Sequence, residues 1–204
     1  MGLFHYLDYR PTHDVDSWWS ELLTEEQRHE VSQTLEATLS SFGDLRVRSW
    51  GDVISVEFIL KGKLVFSFQI VSRSARLEEP ISANWIDVPL DNLADLVASK
   101  MVALVERGAP RDFLDIYLLC QGEILSIGEC WAFWYKRQSL AGSDTDASRV
   151  RLAIESLLER ITLYRPLEEI VNFGQRKQAQ QILNWYSSAF VAVKVPREQD
   201  KENE

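Results

Sequence analysis

Two acids two residues apart, Asp14 and Asp16, stand in a short run, HDVDSWW, that reads as a β-strand over residues 13–19. Side chains on a strand alternate between faces, so both carboxylates project from one face and Val15 and Ser17 from the other. Like charges this close repel unless a cation sits between them, and a divalent metal held by oxygen ligands is one answer. The competing reading is a pair of solvated acids at a strand end, the usual fate of carboxylates. A second set lies far along the chain. Lys100 falls on the apolar stripe of an expected helix, three and four residues from Val97 and Leu96, where a lysine commonly snorkels outward. Asp112 and Asp115, three apart, share a face of the next helix. The tight Gly108-Ala109-Pro110 turn makes the two helices neighbours, so the ammonium group can meet both carboxylates beside a core.

The elements that must hold these groups can be read from periodicity. Asp91 is the expected N-cap of a helix whose Leu93, Leu96, Val97, Met101, Leu104 and Val105 form one stripe. Gly108 can close it and Pro110 can open its successor. Upstream, residues 2–9 read as a short helix or ordered arm. Thr24 with Gln27 three residues on caps a helix over 25–42, with Val31, Leu35 and Leu39 inward and His29 solvated. Residues 45–50, 53–60 and 64–71 are strands joined by Gly51-Asp52 and Lys61-Gly62-Lys63, an antiparallel meander. Residues 73–80 read as a loop and 85–89 as a short closing strand. Downstream, Ser126 caps a helix to residue 140 whose Trp131, Phe133, Trp134 and Tyr135 are read as core in preference to base-stacking groups. Residues 147–164 and 167–195 are helical. Arg149, Arg151, Arg160, Arg165, Arg176 and Lys177 give either a cationic surface for RNA or a wet helix face. Residues 196–204 (PREQDKENE) read as a disordered charged tail.

Composition narrows the class. The 204 residues are 46% hydrophobic, with seven Trp and nine Phe, enough for a packed interior in one domain or two small lobes. No apolar run reaches the length of a membrane span, and the N-terminus lacks the basic start of a secretory signal. Cys120 and Cys130 form no CxxC or zinc pattern, so the expectation is a reduced, cytoplasmic protein. A net charge of −9 opposes bulk binding of nucleic acid, which then requires a local basic patch. It does not oppose a nucleotide carried by metal ions, since these bring their own charge.

Two motifs carry a family resemblance. Lys100, Ala103-Leu104, Arg107, Arg111-Asp112 and Asp115-Ile116-Tyr117 resemble the K-x-x-A-L-x-x-R…R-D-x-x-D-L-Y signature of the AbiEii/AbiGii toxin family of nucleotidyltransferase-like proteins, with Ile116 in place of Leu. Arg10-Pro-Thr12-His-Asp14-Val-Asp16 is similar to the family's R-x-[ST]-x-D-[ILV]-D motif. The resemblance implies an α+β, nucleotidyltransferase-like fold: a mixed, mainly antiparallel sheet with packed helices over 1–121, a helical lobe over 122–195 and a tail over 196–204. It implies Mg²⁺ at Asp14 and Asp16, with Asp14, Asp16, Lys100, Asp112 and Asp115 as catalytic residues. Arg10, Thr12, Lys100 and Arg111 would bind the nucleotide, and Asp14, Asp16 and Lys100 would face one cleft. The reaction implied is nucleotidyl transfer from a nucleoside triphosphate to an acceptor such as tRNA, by the toxin half of a toxin–antitoxin pair. Two departures stand out. The family's third metal-binding acid falls at Ser67 or Gln69, with Glu57 on the neighbouring strand as a substitute. Its Gly-Gly-[Ser/Thr] turn falls just before and at Met1, which implies either a start downstream of a fuller reading frame or a degenerate member. The alternative function is therefore a catalytically silent module that binds nucleotide, RNA or protein.

Overall fold

The computed structural model describes residues 2–6, 13–20, 22–73 and 75–193. The chain divides into two compact units, Met1–Ser74 and Ala75–Glu204. The first holds β1 (Asp14–Trp18), α1 (Glu25–Ser40), β2 (Asp44–Trp50), β3 (Val53–Leu60) and β4 (Lys63–Val71), preceded by a 3-10 turn over Gly2–His5. The strands form one mixed sheet in the order β1-β4-β3-β2, with β1 parallel to β4 and the other pairs antiparallel. The two hairpin turns are made where the sequence places glycine. Gly51 lies at φ +53°, and Lys61 and Gly62 lie at +51° and +72°, the left-handed pair that suits a two-residue turn between twisted strands.

One face of this sheet is apolar and one polar. Trp19, Ile54, Val56 and Ile70 form the buried cluster, with Leu23, Leu35, Leu39, Leu45, Val47 and Phe68 packed on it, so α1 covers that face. Helix α1 starts at Thr24 through a complete capping box with Gln27. Val31, expected inward, is 38% exposed. Asp52 ties the sheet's end together: its carbonyl accepts from Trp19 Nε1 at 2.7 Å, and its carboxylate from Arg28 at 3.1 Å and Ser72 at 3.0 Å.

The second unit opens with an antiparallel pair, β5 (Ile81–Ala83) and β6 (Ile86–Leu90), that stands apart from the main sheet. The expected closing strand is thus half of a separate hairpin. Helices α2 (Leu93–Glu106), α3 (Pro110–Gln121), α4 (Ile127–Leu140), α5 (Ala147–Tyr164) and α6 (Phe173–Trp185) follow, and a π turn over Tyr186–Phe190 ends the described chain's last helix. Asn92, rather than Asp91, caps α2, its side chain accepting from the Asp95 N–H. Helix α2 packs against α3, α4 and α5, and its Val97, Ala98, Met101 and Leu104 are fully buried. Trp131, Trp134, Tyr186 and Phe190 fill the same core, so the aromatic cluster of α4 is packing. Because α2 is shared by the helices before and after residue 121, the expected boundary there falls inside one unit. Among the described residues, no helix is long and apolar enough to cross a membrane.

Candidate functional site

Strand β1 carries the paired acids, and the register shows what lies beside them. Asp14 pairs with Ser67 and Asp16 with Gln69 on β4; Ser67 in turn pairs with Glu57 and Gln69 with Ser55 on β3; these pair with Arg46 and Arg48 on β2. Residues paired across a sheet share a face. The face away from α1 therefore bears two rows, Asp14–Ser67–Glu57–Arg46 and Asp16–Gln69–Ser55–Arg48. Asp14 is half-buried and Asp16 exposed. Trp18, on the same face, lies under the Arg73 guanidinium at 4.6 Å from its ring centre.

These neighbours bear on a metal. Two carboxylates with a hydroxyl and an amide oxygen alongside form an all-oxygen donor set, the kind a hard cation takes. Among the described residues no group of three His, Cys, Asp or Glu gathers to cage a metal. Mg²⁺ needs no such cage, since it is commonly bound through one or two carboxylates together with substrate phosphates. Glu57, a further carboxylate of the face, is engaged elsewhere: Arg46 reaches it at 3.0 Å and Arg48 at 3.6 Å.

The second cluster is built by α2 and α3. Pro110 at the start of α3, after Gly108 at φ +53°, reverses the chain so that the two helices pack. Lys100 Nζ then lies 2.9 Å from Asp115 Oδ2 and 4.0 Å from Asp112 Oδ1. Arg107, at the end of α2, grips Asp112 with two donors, Nε at 2.9 Å and Nη2 at 3.1 Å. Both acids are fully buried, while the Lys100 side chain is 25% exposed. The two buried charges are thus matched by two cations that keep contact with water, which limits the desolvation cost of the pairs. Behind α3, the buried Tyr186 hydroxyl donates to the Phe113 carbonyl at 2.9 Å. Burial, with Cys120, Cys130 and the two aspartates nearby, pushes that phenol well above its usual value.

The structure thus joins Lys100 with Asp115 and Asp112, as their spacing predicts, and sets Asp14 and Asp16 on one strand face. Arg111 lies exposed in the first turn of α3. Arg10 and Thr12 lie outside the described residues. Arg107 is the clamp on Asp112, a role that residue spacing alone does not assign although the residue stands in the K-x-x-A-L-x-x-R motif. Also unforeseen is Asp95, buried in the first turn of α2. It accepts from the N–H groups of Leu77 and Glu78 at 3.0 Å each and lies 3.7 Å from the buried Arg137.

Comparison with curated proteins and with solved structures gave no match in either case. A family model described as "Nucleotidyl transferase AbiEii toxin, Type IV TA system" matches residues 1–183, which include both the β1 acids and the Lys100–Asp115 cluster, and the chain belongs to the AbiEii nucleotidyl transferase toxin family.

Proposed function

We propose that this chain transfers a nucleotidyl group from a nucleoside triphosphate to an RNA acceptor of the tRNA kind, with Mg²⁺ held at Asp14 and Asp16. The observation that carries the reading is the register of β1 on β4. It sets both carboxylates on the polar sheet face beside the Ser67 hydroxyl and the Gln69 amide, in a chain of a nucleotidyl transferase family. When bound, the metal supplies charge neutralisation to the phosphates as an acceptor oxygen displaces pyrophosphate at the α-phosphorus. Asp14 and Asp16 provide anionic oxygens, and Gln69 adds a neutral one. In the second unit, Lys100 presents an ammonium group to a phosphate. Asp115 holds it in place and Asp112 fixes Arg107 beside it, so these two acids are positioning residues. Arg10 and Thr12 in the motif before β1, and Arg111 in the first turn of α3, are assigned to the nucleotide. An antitoxin is the counterpart that the family implies, and the compartment we assign is the cytoplasm.

The test follows α-labelled nucleoside triphosphates into purified RNA in the presence of Mg²⁺. Wild-type chain should label RNA, and Asp14→Ala and Asp16→Ala should each abolish labelling. Wild-type rates from either variant would show that the acids are not the metal site. A second reading, a silent nucleotide- or RNA-binding member, draws on the absence of an acid at Ser67 and Gln69 and on the engagement of Glu57 by two arginines. Mg²⁺-dependent binding of nucleotide without label transfer would favour it.

A further inference from the structure

Away from both sets of acids, two nucleophilic side chains meet at the junction of α3 and α4. Cys120 is the next-to-last residue of α3, and Cys130 stands in the first turn of α4. They are the chain's two cysteines; both are free thiols, and their Sγ atoms lie 3.7 Å apart. The meeting is held from both sides. The Gly122 and Ile124 N–H groups close the end of α3, donating to the Leu118 and Leu119 carbonyls at 2.9 Å and 3.1 Å. Glu123, at φ +56°, turns the chain, and the Ser126–Glu129 capping box fixes the start of α4. The two thiols differ in access: Cys130 is fully buried, whereas Cys120 keeps part of its surface in water. Packing accounts for Cys130, since thiols are among the most buried side chains, but it gives the water-facing partner no role.

We propose that Cys120 and Cys130 are a redox-active dithiol that reacts with a small-molecule disulfide of the glutathione type and closes into a reversible clasp between α3 and α4. The inference stands apart from nucleotidyl transfer. In the first step the Cys120 thiolate attacks one sulfur of the small disulfide; a mixed disulfide forms and one small thiolate leaves. In the second, Cys130 gives up its proton to the departing sulfur and attacks Cys120 Sγ; the protein disulfide forms and the second small thiol leaves. The two thiols of the chain lose two electrons, and one small disulfide becomes two thiols. The neighbouring groups set this order. A hydrogen bond from Cys130 lowers the Cys120 thiol below its usual value, which makes the accessible sulfur the first nucleophile. That bond is also the largest cause driving Cys130 up, ahead of burial, and it ends once Cys120 is capped. The resolving thiol is thus kept protonated until the mixed disulfide exists. Closure brings the sulfurs from 3.7 Å to about 2 Å, a short approach between helix ends already in contact. In a reducing compartment such a bond is transient, forming when the disulfide pool rises.

The experiment exposes the reduced, folded full-length chain to excess oxidised glutathione, quenches with acid, caps the remaining thiols with N-ethylmaleimide and weighs the intact chain. Wild type should lose both thiols and two hydrogens while carrying no glutathione, and dithiothreitol should restore it. C130S should stop at one glutathione on Cys120. C120S should react about tenfold more slowly or less, since only the buried thiol remains. Amide hydrogen exchange over residues 118–124 should slow in the oxidised chain, because the clasp pins the end of α3. Far-UV circular dichroism checks that each variant folds, and the wild-type mass alone decides bond formation where one does not. Two capped thiols on wild type, a lasting glutathione adduct, or disulfides between chains overturn the dithiol. A bond that leaves exchange over 118–124 unchanged or faster overturns the clasp. None of these readouts involves label transfer, so the nucleotidyl reading stands or falls separately.

Discussion

Removing the ammonium group of Lys100 should cost more stability than removing the carboxylate it meets. In K100M, Asp115 loses a partner at 2.9 Å and Asp112 one at 4.0 Å, and both acids stay fully buried while Arg107 remains on Asp112. In D115N, the groups left in excess are Lys100 and Arg107, whose side chains are 25% and 52% exposed and can turn to water. Breaking a buried pair by deleting one partner costs about 3–5 kcal/mol. Partial exposure puts K100M near the lower end, about 3 kcal/mol, and D115N near the worth of one charged hydrogen bond, about 1.5–3 kcal/mol. Urea unfolding by far-UV circular dichroism reads the difference. At a slope of about 2 kcal/mol per molar, K100M should lower the midpoint by about 1.5 M. The double variant K100M/D115L removes both charges and should regain part of the loss, since an apolar replacement of a buried pair is commonly neutral or better. It should not regain Mg²⁺-dependent nucleotide binding if Lys100 meets a phosphate, which separates the two roles. A K100M chain as stable as wild type, or less affected than D115N, would refute the reasoning.

Gly108→Ala should lower stability by about 3 kcal/mol, read as a fall in Tm. The residue sits at φ +53°, and a Cβ there would lie 2.6 Å from Leu157 Cδ1 and 2.9 Å from Leu157 Cβ, so backbone strain and overpacking add. Cys120 should alkylate with iodoacetamide well before Cys130. The two sulfurs lie 3.7 Å apart; a hydrogen bond from Cys130 favours the thiolate form of Cys120 and lowers that thiol below its usual value, while the same bond and burial drive Cys130 far up, so C130A should slow the reaction of Cys120. Glu129 closes the capping box of α4, accepting from the Ser126 N–H and hydroxyl at 2.7 Å each, and these bonds hold its carboxyl below the usual 4.5. Its folded value lies under its unfolded one, so the stabilisation is present above pH 4.5 and fades as pH falls through the folded value. S126A keeps the backbone N–H that contributes most to this shift, so its stability profile should lose only part of that acid-limb dependence, along with about 1 kcal/mol of helix capping at neutral pH.

Much of this was legible in residue types because the signals were local. Capping boxes at Thr24 and Ser126, the Gly51 and Gly62 turns and the Gly108-Pro110 reversal depend on a few neighbouring residues, and each formed where its chemistry requires. Strand β5, the three residues Ile81–Ala83 directly after Pro80, is too short for a period to register. Asn92 outcompeted Asp91 as the cap of α2 for a tertiary reason: its amide group also donates to the Glu78 carboxylate at 3.1 Å and the Glu79 carbonyl at 3.3 Å, anchoring the preceding loop. The Lys100–Asp115 meeting followed from spacing, whereas the Arg107 clamp did not, since a terminal arginine can turn anywhere until the fold directs it. The Asp95 contacts to Leu77 and Glu78 join a helix to a loop seventeen and eighteen residues earlier, a pairing that no periodicity encodes.

Burial sorts the acids of the two motifs into different work. Asp112 and Asp115 have no exposure, and their oxygens lie 2.9 Å from side-chain cations. To take a metal they would have to release Lys100 and Arg107 and admit a hydrated ion into a closed helix interface, at the desolvation cost that makes such charges expensive to rearrange. Asp14 and Asp16 sit on a sheet face that water reaches, with neutral oxygens at Ser67 and Gln69 in the same rows. There an ion can keep part of its hydration and gain two carboxylates, which suits the reluctance of Mg²⁺ to dehydrate. Glu57 is a poorer ligand on the same ground, since exchanging Arg46 and Arg48 for a metal would strand two guanidinium groups. On the proposed assignment Asp14 and Asp16 would serve an exchangeable cation, whereas Asp112 and Asp115 hold Lys100 and Arg107.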